Sequence, residues 1–138
     1  VIERKLAYLR EQVALLRSWQ LGTVAEFATD RLLCRAVERQ LQVCVEAVID
    51  ICERVLAVKK EPPVQTASER VEKLAELGIL ADPAPYRSMV QFRNFIVHRY
   101  EEIDSEILYD IAVHHVERFE QFAAEIEAAG REDARGTG

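Results

Sequence analysis

Apolar residues along this chain recur at intervals of three and four, and almost nowhere in strict alternation, which is the signature of amphipathic helices. Leu6, Leu9, Val13, Leu16 and Trp19 make one such stripe, with Arg4, Arg10, Glu11 and Arg17 mostly on the opposite side. The stripe predicts a first helix from about Glu3 to Ser18, ended by Gly22. Thr23-Val24-Ala25-Glu26 then reads as a capping box, with a hydroxyl and a carboxylate three residues apart. From there to Lys60 the apolar pattern continues without Gly or Pro, predicting one long helix with a brief break near Thr29-Asp30, where Asp30 is a second candidate N-cap. Pro62-Pro63 stops it.

A third helix begins at Ser68, runs through Val71, Leu74 and Leu77, and closes at Gly78. Asp82-Pro83 restarts the chain as N-cap and first helical residue, giving a fourth helix that extends to Tyr100. After the polar stretch Glu101 to Asp104 comes a last helix, to about Ala129, with Ile107, Ile111, Val116, Phe119, Phe122 and Ile126 on its inner face. Phe92 and Phe95 also fit core positions. Residues 130–138 are polar and Gly-rich and read as a disordered tail. The fold expected is all-α, an antiparallel bundle of about five helices forming a single domain over residues 1–129.

Composition narrows the function more than the fold. No apolar run approaches the roughly 20 residues that span a bilayer, and charges interrupt the first ten residues, so neither a membrane anchor nor a signal peptide is expected. A net charge of −6 argues against a protein that coats nucleic acid non-specifically, but leaves room for a small basic cleft. Cys34, Cys44 and Cys52 fall on one predicted helix at separations that cannot pair with each other, and no C-x2-C occurs. They read as reduced, packed thiols of a cytoplasmic protein.

The candidate chemistry lies in Arg93-Asn94-Phe95-Ile96-Val97-His98-Arg99-Tyr100, which brings a guanidinium, an imidazole and a phenol into two helical turns. Arginine holds phosphate as a permanent cation, and histidine moves protons near neutral pH. Together they suit RNA cleavage without a metal: the imidazole takes the ribose 2′-hydroxyl proton, and the guanidinium stabilises charge on the scissile phosphate. No H-E-x-x-H or Asp pair points to a metal site, and no cofactor motif is present. Arg93 and Tyr100 share a helix face, whereas His98 sits about 140° round from Arg93. Three arrangements would still let the two act together: a helix that loosens near His98, long side chains that bend round, or a second copy that supplies one partner in a symmetric homodimer. A bland alternative also stands, because histidine near a helix C-terminus simply complements the helix dipole.

Arg31, Arg35 and Arg39 form a basic stripe on the second helix, extended by Gln42 and Glu46. It is either a solvated face or, if it abuts the octet, an RNA-backbone track with Glu46 orienting His98 or Arg93. His114 and His115 face different directions and read as structural or surface residues, and Tyr8, Tyr86 and Tyr109 carry no assigned function.

The pattern Arg93, Asn94, Ile96, His98 and Tyr100, with Asp104 four residues further on, resembles the motif of HepT-like toxins, a branch of the HEPN helical domains. The run Ala36-Val37-Glu38-Arg39-Gln40-Leu41-Gln42, followed by Glu46-Ala47, is similar to that family too, and the similarity spans roughly Tyr8 to Ala128. The resemblance implies a metal-independent endoribonuclease, the toxin of a toxin–antitoxin pair, acting on tRNA or mRNA. Arg93 and His98 would be catalytic at a homodimer cleft, and Asn94, Arg99, Arg39, Arg35 and Glu46 would support them or contact RNA. It further implies a minimal nucleotidyltransferase antitoxin that transfers AMP from ATP to Tyr100. Arg99 departs from the small or acidic residue common at its place, and either adds a phosphate contact or pairs with Glu101 or Glu102. The alternative reading is a non-catalytic HEPN module that binds a nucleotidyltransferase partner and nucleotide.

Overall fold

The computed structural model describes the backbone of residues 1–98 and 104–136 and the side chains of residues 1–96 and 104–133. Among the described residues the structure is helical without strands: α1 (Ile2–Ser18), α2 (Val24–Thr29), α3 (Arg31–Val58), α4 (Ala67–Glu76), α5 (Ala84–His98), α6 (Ser105–His114) and α7 (Glu117–Gly136). The organising element is α3, which packs against α1, α4, α5 and α6 and also touches α2 and α7. Its 28 residues bury apolar side chains over more than half of the circumference, from Val37 and Leu41 to Ile51 and Leu56, and keep Arg39, Glu46, Asp50 and Glu53 on one exposed face. A helix apolar on most of its circumference finds burial only at the centre of a bundle.

Caps set most of the boundaries. Thr23 and Glu26 exchange both capping-box hydrogen bonds, the Glu26 amide donating to Thr23 Oγ1 at 3.1 Å and the Thr23 amide to Glu26 Oε1 at 3.0 Å. The Asp30 carboxylate accepts from the Leu33 amide at 3.0 Å and turns the break near Thr29-Asp30 into a full boundary, so the long second helix is two elements, α2 and α3. Thr66 caps α4 two residues before the expected start, accepting from the Glu69 amide. Gly78 ends that helix at φ +77°, where the Ile79 amide reaches back to the Leu74 carbonyl at 2.9 Å.

The expected last helix is also two. No Gly or Pro marks the break at His115-Val116, where the His115 amide donates to the Ile111 carbonyl and the His115 ring lies 3.1 Å from Asp110. This break explains a misplaced core. With two helices in place of one, each turns its own stripe inward: Leu108 and Ala112 on α6, and Phe119, Phe122, Ala123 and Ile126 on α7. Ile107, expected inside, is 53% exposed, and Phe95 on α5 is also exposed. At its far end α7 continues through Gly130 to Gly136, so residues 130–136 of the expected disordered tail are helical. Lys59 at the end of α3 pairs with Asp133 at 2.9 Å across this extension.

Two tyrosines to which the sequence assigned nothing hold elements together. Tyr86 is fully buried edge-on to Phe122, and its hydroxyl donates to Glu125 at 2.5 Å, while the Ala81 amide donates to the other oxygen of that carboxylate. This fixes the start of α5 against α7. Burial, then the bond to Glu125, pushes the Tyr86 hydroxyl far above the ordinary phenol range. Tyr109 Oη donates to the Gly22 carbonyl at 2.8 Å, tying α6 to the turn before α2.

Candidate active site

α5 carries the octet as far as His98, and its packing on α3 sets what the side chains described there meet. Val90 and Met89 are buried, and Phe92 and Ile96 pack on the edge of the core. Arg93 therefore lies at the border of the α3–α5 contact, its side chain 24% exposed. Its Nε lies 3.8 Å from Oε1 of Glu46 on α3, close enough for ion pairing and too far for a hydrogen bond. That Nε is buried and, among the described residues, has no hydrogen-bond partner. Asn94, the next residue, is exposed. The backbone of His98 is the last residue of α5, whereas its side chain, together with Arg99 and Tyr100 in full, lies outside the described residues.

Because α5 is α-helical through His98, the separation of about 140° between Arg93 and His98 persists, and loosening of the helix ahead of His98 does not bring them together. Two of the three arrangements remain: side chains that bend round, or a contribution from a second copy.

The basic stripe of α3 divides. A spacing of four residues advances about 40° around the helix each time, so Arg31 and Arg39 drift apart by roughly a quarter turn. Arg39 opens into a groove of about 430 Å³ between α1 and α3, shared with Arg4, Lys5, Tyr8, Glu46 and Asp50. Arg31 and Arg35 line a different groove of about 340 Å³ with Cys34, Glu38 and Asp104. Glu46 is thus the residue that joins the α3 face to the octet: one side of it borders the first groove, and its carboxylate reaches Arg93. Among the described residues, no three His, Cys, Asp or Glu side chains are placed to hold a metal ion. His115 pairs with Asp110, and no described helix is long and apolar enough to cross a membrane.

A fold of this kind has known counterparts. The family model Ribonuclease HepT-like matches residues 9–126. The chain belongs to the Ribonuclease HepT-like family. Among relatives of this HepT-like chain, the mRNA nuclease HepT of Shewanella oneidensis is 29% identical over 130 residues, covering 93% of this chain and 97% of the relative. A solved structure of the tri-AMPylated HEPN toxin of Shewanella oneidensis in complex with its MNT antitoxin superposes with a TM-score of 0.83 at 29% identity, covering 92% of this chain and 96% of that one. A toxin–antitoxin crystal structure with AMP-PNP gives 0.82 at 28% identity, covering 92% and 97%. The cytosolic protein YutE of Bacillus subtilis, at 16% identity and a TM-score of 0.80 over 96% of this chain and 90% of its own, shares the HepT-like fold.

The signals for this site were uneven in the sequence. Arg93 and Glu46 were both visible as candidates, but their juxtaposition depends on how α5 crosses α3. Arg4, Lys5 and Tyr8 gave no signal, because on α1 they are ordinary outward positions that become groove residues only when α3 lies alongside.

Proposed function

We propose that this chain is a metal-independent endoribonuclease toxin, active as a cytoplasmic homodimer, in which Arg93 and His98 carry the chemistry. The observation that carries the reading is the Arg93 guanidinium: it is held at the α3–α5 contact beside Glu46 with a buried Nε that is unbonded among the described residues, in a chain of the Ribonuclease HepT-like family. A buried donor without an acceptor is about 1–3 kcal/mol short of its bonded state, and a non-bridging phosphate oxygen is a fitting acceptor. His98 accepts the proton of a ribose 2′-hydroxyl as the 2′-oxygen attacks phosphorus. The P–O5′ bond breaks, leaving a 2′,3′-cyclic phosphate, and the departing 5′-oxygen recovers a proton. Arg93 stabilises the charge on the pentacoordinate phosphorus, and Glu46 keeps its guanidinium oriented.

The partner in this proposal is a nucleotidyltransferase antitoxin that transfers AMP from ATP to Tyr100. The relatives point that way, since one solved toxin is AMPylated and bound to an MNT antitoxin. An added phosphodiester places negative charge two residues from His98 and seven from Arg93, and so repels an RNA phosphate. Messenger RNA is the substrate class favoured by the Shewanella relative, with tRNA as the other candidate.

The test is incubation of unmodified protein, verified by intact mass, with RNA in EDTA. Cleavage is expected to persist in EDTA, to fall by about 10²–10³ in Arg93→Ala and by about 10²–10⁴ in His98→Ala. Undiminished cleavage by a folded His98→Ala protein would sink the mechanism. Absence of cleavage by unmodified wild-type protein that still binds ATP would favour a non-catalytic module instead.

A further inference from the structure

The groove between α1 and α3 is not explained by the chemistry at Arg93. Its register is antiparallel, fixed where Gln40 Nε2 donates to the carbonyl and side-chain oxygens of Gln12, both at 2.9 Å, and where Lys5 pairs with Asp50. That register sets Arg39 at one end, Arg4 at the other, and Tyr8 at the level of Glu46 between them, over a floor of Val43 and Ala47. Both acids in the groove are engaged, Asp50 by Lys5 and Glu46 by Arg93. Neither Arg4 nor Arg39 is ion-paired to a carboxylate among the described residues. Tyr8 is 48% exposed. On a chain whose net charge is −6, this face concentrates uncompensated cations around an accessible aromatic ring.

Two guanidiniums framing an aromatic face, on a partly apolar floor, are what a single strand of nucleic acid requires: cations for successive phosphates and a ring on which a base stacks. A small anion would need one of the arginines and no ring. We propose that this groove is a subsite for single-stranded RNA flanking the scissile phosphate, with Arg4 and Arg39 on phosphates and Tyr8 stacked on a base. Glu46 marks where the subsite meets Arg93, so the strand runs from the groove toward the reacting phosphate. The inference rests on the ribonuclease reading above for the identity of the strand, and it adds Arg4 and Tyr8 to the residues that hold it.

The probe is a fluorescent 2′-O-methyl RNA oligonucleotide, which lacks the attacking hydroxyl and stays intact, titrated with full-length protein over a range of salt. The double variant Arg4→Ala/Arg39→Ala is expected to raise Kd about tenfold or more and to make the slope of log K against log salt shallower by about 1.4, two phosphates at roughly 0.7 each on a single strand. Tyr8→Ala is expected to weaken binding about tenfold and Tyr8→Phe to restore it, because stacking needs the ring and not the hydroxyl. The double variant Arg17→Ala/Arg87→Ala removes equal charge outside the groove and is expected to leave the slope within error of wild type. An unchanged Kd and slope in a folded Arg4→Ala/Arg39→Ala protein overturns the subsite, as does weakened binding of the antitoxin with RNA binding intact. Since the probe is not cleaved, RNA binding through the groove with no turnover would fail the nuclease proposal alone. Cleavage abolished by Arg93→Ala and indifferent to Arg4 and Arg39 would fail the subsite alone.

Discussion

Single side chains in this protein divide into those that finish a contact and those left waiting for one. Tyr86, Gln40 and Tyr109 are finished, each with a named acceptor or pair of partners. Arg93 is not, and the octet that drew attention to it in the sequence contained no hint of this, because an unmet donor is a property of two elements and the space between them. The cysteines are a simpler case, since an apolar helix pattern without C-x2-C already spells out packed thiols. Burial pushes both Cys44 and Cys52 from 9.0 up to about 12. The thiolate is the nucleophile, so iodoacetamide at pH 8 is expected to leave both unlabelled by mass spectrometry over a period that labels them fully in guanidinium. The stability consequence has a definite sign. Their folded values lie above the unfolded one, so above pH 9 the unfolded chain holds fewer protons, and stability is expected to fall as pH rises from about 9 toward 12. Urea midpoints measured across that range would check it, and a flat or rising profile would contradict the burial argument.

At the scale of elements, what the sequence announced were the features with a chemical marker. The capping box of α2, the Asp30 cap of α3, the Pro62-Pro63 stop and Gly78 at the end of α4 all sit where the residues said. The break between α6 and α7 had no marker, and an apolar period running through it looked like one helix; only packing on α3 decides that Leu108 points in and Ile107 out. One terminus contradicts local preference. Lys60 follows α3 at φ +59°, with its amide bonded to the Ala57 carbonyl and the next amide to Leu56. A non-glycine residue in the left-handed region is disfavoured by about 1–2 kcal/mol, partly offset because glycine loses more chain entropy on folding. Lys60→Gly is therefore expected to stabilise the fold by roughly 0.5–1 kcal/mol, read as a higher urea midpoint at unchanged slope. A lower midpoint would mean that the Lys60 side chain makes a contribution larger than its backbone strain.

For the whole molecule the main question is how Arg93 and His98 meet when a continuous helix turns them about 140° apart. If each proposed site takes Arg93 from one copy and His98 from the other, two inactive proteins repair one another. In a mixture of Arg93→Ala and His98→Ala, half the dimers are mixed, and one of the two sites in each mixed dimer is intact. Recovered activity is then expected at up to about one quarter of wild type, measured by RNA cleavage after subunit exchange. No recovery from subunits shown to have exchanged would place both residues in the same copy and leave side-chain bending as the means of alignment.

The seam between α1 and α7 has a different kind of consequence. Arg10 reaches Glu127 at 2.5 Å and Arg17 reaches Glu120 at 2.7 Å, pairs separated by 117 and 103 positions in the chain. Exposed pairs such as these add little energy, but they mark where the molecule shuts. Leu6, Leu9, Val13 and Leu16 on the first helix complete their burial only when the last helix arrives. Bundles that fold quickly join neighbours along the chain, whereas distant partners slow the search. During synthesis, then, α1 emerges long before the partner that completes its burial, and its apolar stripe is open to chaperones, or to aggregation, until α7 has been made.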